Sequence, residues 1–209
     1  MDPNDAQKGV TIGGFYLTND TWNDSYVSQV TSTMYICNYN SWYVIASMNN
    51  NDHSGAVKTY PNVHKDFSNP KVTSYTTMTS TYAENRAHNS NYIYEYAYDI
   101  WLNNYGIEIM IWTDNNGQTP GGSKQSGNLT SNGHTYSVYK SGSDYFAFVD
   151  SVNSTSGTVN LMDFFNYMTS KGWETSTATI TQIDYGVELV STNSEAARFD
   201  LTDFSLITQ

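Results

Sequence analysis

Two glutamates interrupt runs that would otherwise read as buried strand. Glu108 lies in Ile107-Glu108-Ile109-Met110-Ile111-Trp112. Side chains alternate faces along a strand, so Ile107, Ile109 and Ile111 share one face and Glu108, Met110 and Trp112 share the other. The isoleucines read as core. A carboxylate within so apolar a strand is costly unless paired or used. Edge-of-sheet exposure to water is the other reading, and the residues alone leave both open. Glu188 interrupts Tyr185-Gly186-Val187-Glu188-Leu189-Val190 in the same way. Taken alone it favours an acid pointing into solvent. Asp99, in Tyr96-Ala97-Tyr98-Asp99-Ile100-Trp101, reads as a buried, hydrogen-bonded acid. Two carboxyl groups across a cleft, one ionised and one protonated, are the machinery of glycoside hydrolysis.

The segments that would carry these acids have β texture. Short alternating runs are separated by Gly, Asn, Asp and Ser clusters. Strands are expected over 14–17, 33–39, 42–48, 91–102, 107–112, 135–139, 145–149, 177–183 and 198–207, and Asn132-Gly133 reads as a hairpin turn. One segment differs. Leu161, Phe164, Phe165 and Met168 recur at helical spacing, Asn160 suits an N-cap, and Lys171-Gly172 suits a stop, so a helix is expected at about 160–171. The expectation is an all-β sandwich of jelly-roll type with one helix, a single domain over 1–209 whose first eight or so residues form a tail.

Composition narrows the partner. Charged residues make up 14 % of the chain and aromatic residues 15 %, with 18 Tyr, so polarity comes from neutral hydrogen bonders. The 20 acids outnumber the 9 Lys and Arg, for a formal charge of −11. Nucleic acids and anionic membranes need clustered cations, so both are poor partners. An uncharged, hydroxyl-rich polymer suits aromatic faces and neutral hydrogen bonders better. No stretch approaches the length of about 18 apolar residues that a membrane span needs. No signal peptide is visible, and Met1-Asp2-Pro3-Asn4 reads as the start of a trimmed chain, so secretion with prior removal of a signal is expected. Cys37, in an apolar run, reads as a buried thiol. His53, His64, His88 and His134 read as surface residues without metal-ligand spacing.

Several segments together resemble one family. Glu108-Ile-Met-Ile-Trp112 resembles the Glu-Leu-Met-Ile-Trp nucleophile motif of glycoside hydrolase family 12. Val57-Lys58-Thr59-Tyr60-Pro61-Asn62, Ala97-Tyr98-Asp99-Ile100-Trp101 and Phe164-Phe165-Asn166-Tyr167-Met168 resemble three more of its segments. Tyr185-Gly186-Val187-Glu188 is similar to its Phe-Gly-Thr-Glu acid/base segment, and Asn19-Asp20-Thr21-Trp22 to its Asn-Asn-Leu-Trp segment. The six follow one another in family order.

The resemblance implies a jelly roll of two curved antiparallel sheets and a retaining endo-β-1,4-glucanase that acts on cellulose-type or related β-glucans. It implies Glu108 as nucleophile, Glu188 as general acid/base and Asp99 as the hydrogen-bond partner of the nucleophile. Asn19, Trp22, Met110 and Trp112 would meet substrate. No metal or organic cofactor is implied, and a monomer is expected. Retention would set the two carboxyl groups roughly 5–5.5 Å apart. The chain departs from the family at Leu189, where Pro is usual, and at Asn23, where Gly is common. Its lone Cys37 cannot form the disulfide of many relatives. Xyloglucan or mixed-linkage glucan as substrate, and a non-catalytic carbohydrate-binding jelly roll, are the competing readings.

Overall fold

The computed structural model describes residues 9–23, 30–87, 89–174 and 176–209. The expected N-terminal tail and His88 lie outside the described residues. In chain order the strands are β1 (Val10–Ile12), β2 (Phe15–Thr18), β3 (Thr31–Asn38), β4 (Ser41–Ser47) and β5 (Asn62–Asp66). Next come β6 (Met78–Arg86), β7 (Ile93–Leu102), β8 (Ile107–Asn116), β9 (Ser123–Ser131) and β10 (His134–Ser141). After β11 (Tyr145–Asp150) and β12 (Ser156–Asn160) comes the helix α1 (Leu161–Ser170), then β13 (Ile180–Ser191) and β14 (Ala197–Thr208). One sheet has the order β1-β2-β5-β13-β7-β8-β11-β10-β9, the other β12-β6-β14-β4-β3. The pairing is antiparallel except between β8 and β11, which run parallel. No helix among the described residues is long and apolar enough to cross a membrane.

The core between the sheets is rich in tyrosine. Tyr96, Tyr98 and Tyr185 are fully buried. A buried phenol keeps its apolar ring in the core only if its hydroxyl finds a partner. Tyr98 donates to Ser80 Oγ at 3.0 Å, Tyr96 to the Asp200 carbonyl at 3.2 Å and Tyr185 to Glu84 Oε2 at 3.0 Å. Much of the tyrosine surplus therefore serves packing, not sugar contact.

The helix lies one residue inside its expected bounds at each end. Leu161, Phe164, Phe165 and Met168 are its buried face. Asn160 occupies the N-cap, but its side chain donates to Asp163 Oδ1 at 2.9 Å instead of accepting from the backbone. Gly172 closes the C-terminus at φ +67°, its N–H bonding Thr169 O and that of Trp173 bonding Met168 O, both at 3.0 Å, which is a Schellman ending.

Cys37 is exposed, contrary to expectation. It stands on edge strand β3, where the register with β4 slips between Ile36 and Asn38. Cys37 follows the outward phase of the strand, with Thr31, Thr33 and Tyr35, while Met34 and Ile36 turn inward.

Candidate active site

The cleft face of the larger sheet is set by strand parity. On β8, Ile109 and Ile111 enter the main core, while Met110 and Trp112 turn to the other side and pack with Ala97 and Ala147. Glu108 has the same parity as Met110. Register carries this face across the sheet: Trp101 on β7 opposes Glu108, Asp99 opposes Met110, and Ala97 opposes Trp112. On β13, Asp184 opposes Asp99 and Glu188 opposes Glu95. On β5, His64 opposes Asp184 and Asn62 opposes Gly186.

These residues line one cavity of about 540 Å³, which holds Glu108, Glu188 and Asp99 together with Trp22, Met110 and Trp112. Glu95 and Trp101, the β7 partners of Glu188 and Glu108, are six residues apart on one strand. A flat strand would separate them by about 20 Å. That both glutamates reach one cavity means that the sheet curls around it. Asn19 is not in the lining: its amide donates to the Ser32 carbonyl at 2.9 Å and its Oδ1 accepts from Ser32 Oγ at 2.8 Å, tying the entry segment to β3. Trp22 is 45 % exposed, which places it at the cavity as a surface indole and not in the core.

The cavity is rich in acids. No Lys or Arg is among the described residues that line it. Burial raises Glu108 to about 8, with Glu188 and Asp144 adding like-charge repulsion. Glu188 is raised by burial and then by the neighbouring Glu95 carboxyl. Asp99 is raised by burial and by the charges of Glu108 and Glu188. Its Oδ2 accepts from Trp101 Nε1 at 2.9 Å, so the hydrogen bond on Asp99 is with the indole opposite Glu108. Asp184 is raised by burial and Asp99. The charges of Glu108 and Glu188 repel each other, which favours one carboxylate beside one carboxylic acid. That is the state for nucleophilic attack assisted by protonation of the leaving group.

Glu95, Asp184, Asn62 and His64 are among the polar residues of this cavity that the sequence did not mark as site residues. Glu95 and Asp184 are 1 % and 4 % exposed. Glu95 carries the signal that marked Glu108, an acid between large apolar neighbours, in Tyr94-Glu95-Tyr96. Asn62 and His64 sit on β5, whose outward residues are polar because they face the cleft. His64 is therefore buried and not a surface residue; its Nδ1 bonds Asn62 Oδ1 at 2.9 Å. Burial lowers it to about 4, so its ring is neutral. His53 is exposed, as expected, and His134 pairs with Asp150 at 2.6 Å. Among the described residues no group of three or more His, Cys, Asp or Glu side chains is arranged to hold a metal ion.

Residues 13–207 match the sequence profile of the family described as Glycosyl hydrolase family 12. No curated protein sequence matches the chain. Among solved structures, the chain is similar to a family 12 xyloglucanase from Bacillus licheniformis in complex with ligand, at 21 % identity and a TM-score of 0.84, over 98 % of this chain and 97 % of that one. The xyloglucanase domain of NopAA, a type three effector from Sinorhizobium fredii, in complex with cellobiose, is similar at 21 % identity and a TM-score of 0.83 over all of both chains. Endoglucanase 3 of Trichoderma harzianum is similar at 22 % identity and 0.83, over 97 % and 95 % of the two chains. These likenesses show the jelly-roll fold.

Proposed function

Because the chain belongs to glycosyl hydrolase family 12, we propose that this glycoside hydrolase cleaves internal β-1,4 bonds of cellulose-type glucans with retention. The observation that carries the reading is the pair Glu108 and Glu188, delivered from β8 and β13 into one cavity whose described lining residues include no Lys or Arg. Protonated Glu188 gives its proton to the glycosidic oxygen as the bond to the anomeric carbon breaks. Ionised Glu108 attacks that carbon and forms a glycosyl-enzyme. Glu108 is then neutral, Glu188 is a carboxylate, and it takes a proton from the water that releases the sugar. Trp22 offers an indole face to a pyranose ring away from the bond that breaks. We place the enzyme outside the cell, where its polymeric substrate is found.

Xyloglucan is the second substrate to test, because two of the solved relatives named above are xyloglucanases. The test is release of reducing ends from soluble cellulose derivatives, mixed-linkage glucan, xyloglucan and xylan, with proton NMR of the first-formed anomer. Fast release from a β-glucan with the β-anomer appearing first is expected. Sugar binding without release would mark a carbohydrate-binding module, and an α-anomer first would exclude the covalent route.

A further inference from the structure

Glu95 is a buried acid that the double displacement leaves without a task. It sits on β7 as the direct cross-strand partner of Glu188. Directly opposed antiparallel residues have side chains within contact reach, which sets the two carboxyl groups where a hydrogen bond can join them. Such a bond needs a proton, since two carboxylates only accept. Both groups line the cavity, and Glu95 is 1 % exposed. On its other side β8 presents the neutral Asn115, and Tyr145 of β11 is the phenol that feels its charge. Asp20 adds a further negative charge near Glu188.

We propose that Glu95 is a positioning residue for the acid/base: its carboxylate accepts the hydrogen bond through which Glu188 keeps its proton until the glycosidic oxygen takes it. The assignment rests on the reading of Glu188 as acid/base. Burial raises Glu95 to about 7, and its bond with Glu188 works against that rise, while the same bond pushes Glu188 higher. The shared interaction thus favours the charge on Glu95 and the proton on Glu188. Once Glu188 has delivered that proton, the adjacent charge makes it a stronger base toward water. Protonation of the pair comes in two coupled steps.

The test is the pH dependence of kcat/KM for Glu95→Gln on a soluble β-1,4-glucan. Gln keeps size and hydrogen-bonding capacity but cannot carry the charge. The alkaline limb, which reports proton loss from Glu188, is expected to fall by about one pH unit, with the acid limb in place. The carboxyl carbon of Glu188, followed by carbon-13 NMR, should titrate at correspondingly lower pH in the variant. An alkaline limb and a Glu188 titration that both stay put, or that move upward, would overturn the proposal. If Glu95→Gln does not fold, the wild-type protein still decides: Glu188 should show two inflections, and a single one overturns the coupling. Glu188→Ala with azide separates the two levels of inference. Azide rescue together with an unmoved limb sinks only the role of Glu95; failure of rescue sinks the acid/base reading beneath it.

Discussion

The molecule buries acids in two places and treats them differently. Between the sheets, Glu84 and Arg86 on β6 meet Asp114 on β8. Arg86 Nε pairs with Asp114 Oδ2 at 2.6 Å, and Glu84 accepts from Tyr185, whose hydroxyl also contacts Thr113 Oγ1 at 3.0 Å. Burial and Asp114 raise Glu84 to about 9, so at neutral pH it is protonated and the group of three carries no net charge. In the cleft, Glu95, Asp99, Glu108, Asp184 and Glu188 gather with no Lys or Arg among the described lining residues. The first cluster is a neutral network that joins two sheets. The second keeps charge that folding does not need, and such stored cost marks the place where chemistry is done.

Glu108→Gln should break the cleft side of this contrast most severely. Loss of the nucleophile should lower kcat on soluble glucan by about a thousandfold or more. Stability should move the other way. The raised folded-state value of Glu108 makes its contribution to stability complete below about 4.5 and lost as pH rises toward about 8. Gln removes that loss, so the melting temperature of the variant at pH 8 to 9 should match or exceed that of the wild type. A large fall in melting temperature would mean that Glu108 is a structural acid.

Arg86→Met should do the reverse. Taking the cation from a buried pair leaves Asp114 uncompensated and should cost roughly 3 kcal/mol of stability. Turnover per folded molecule should be unchanged, as measured by denaturant titration beside kcat. Glu84 adds a pH signature. Its stabilising contribution is present below about 4.5 and fades toward about 9, so the melting temperature should decline across that window. Glu84→Gln should flatten the decline, and an unchanged slope would remove Glu84 from the account.

The same contrast explains what was legible in the sequence. Glu108, Glu188 and Asp99 stood out because acids in alternating apolar strands are rare. The helix was legible because its buried face and Gly172 ending are local. Strands β1, β5, β6, β9 and β12 were not, and for β5, β6 and β9 the reason is physical. β5 turns Asn62 and His64 to the cleft, β6 places Ser80 and Glu84 among its buried residues, and β9 is an exposed edge without apolar alternation. Polar residues facing a cleft or a buried network look like loop residues in one dimension. His64 was misjudged with β5, and Asn19 looked like a sugar contact because its amide bonds to Ser32 appear only when the entry segment and β3 lie side by side.

Trp22→Ala tests the rim of the cleft, where exposure replaces burial. A stacked indole contributes on the order of 1–3 kcal/mol, so KM on long glucan chains should rise roughly ten- to a hundredfold. Hydrolysis of short activated glycosides and the melting temperature should hardly change, because a residue that is 45 % exposed opens no core cavity. Normal KM with a falling melting temperature would return Trp22 to the core.

Asp99→Asn should have the smallest effect and is the sharpest test of how charge is distributed in the cleft. Asp99 is held above its ordinary range by burial and by the charges of Glu108 and Glu188. An ionised Glu108 favours a proton on Asp99. Asn reproduces that state, and its carbonyl oxygen still accepts from Trp101 Nε1. Turnover should fall only a few-fold, on the scale of one altered neutral hydrogen bond of about 1 kcal/mol, and the acid limb of the pH–rate profile should stay in place. Asp99→Ala should do more, since it leaves the Trp101 indole without its acceptor directly opposite Glu108. The opposite outcome has a distinct signature. Were Asp99 ionised in the working enzyme, Asn would remove a negative charge beside Glu108, lower its affinity for a proton and shift the acid limb to lower pH. A downward shift would therefore show two charged acids side by side, and an unmoved limb shows one charge held next to one proton.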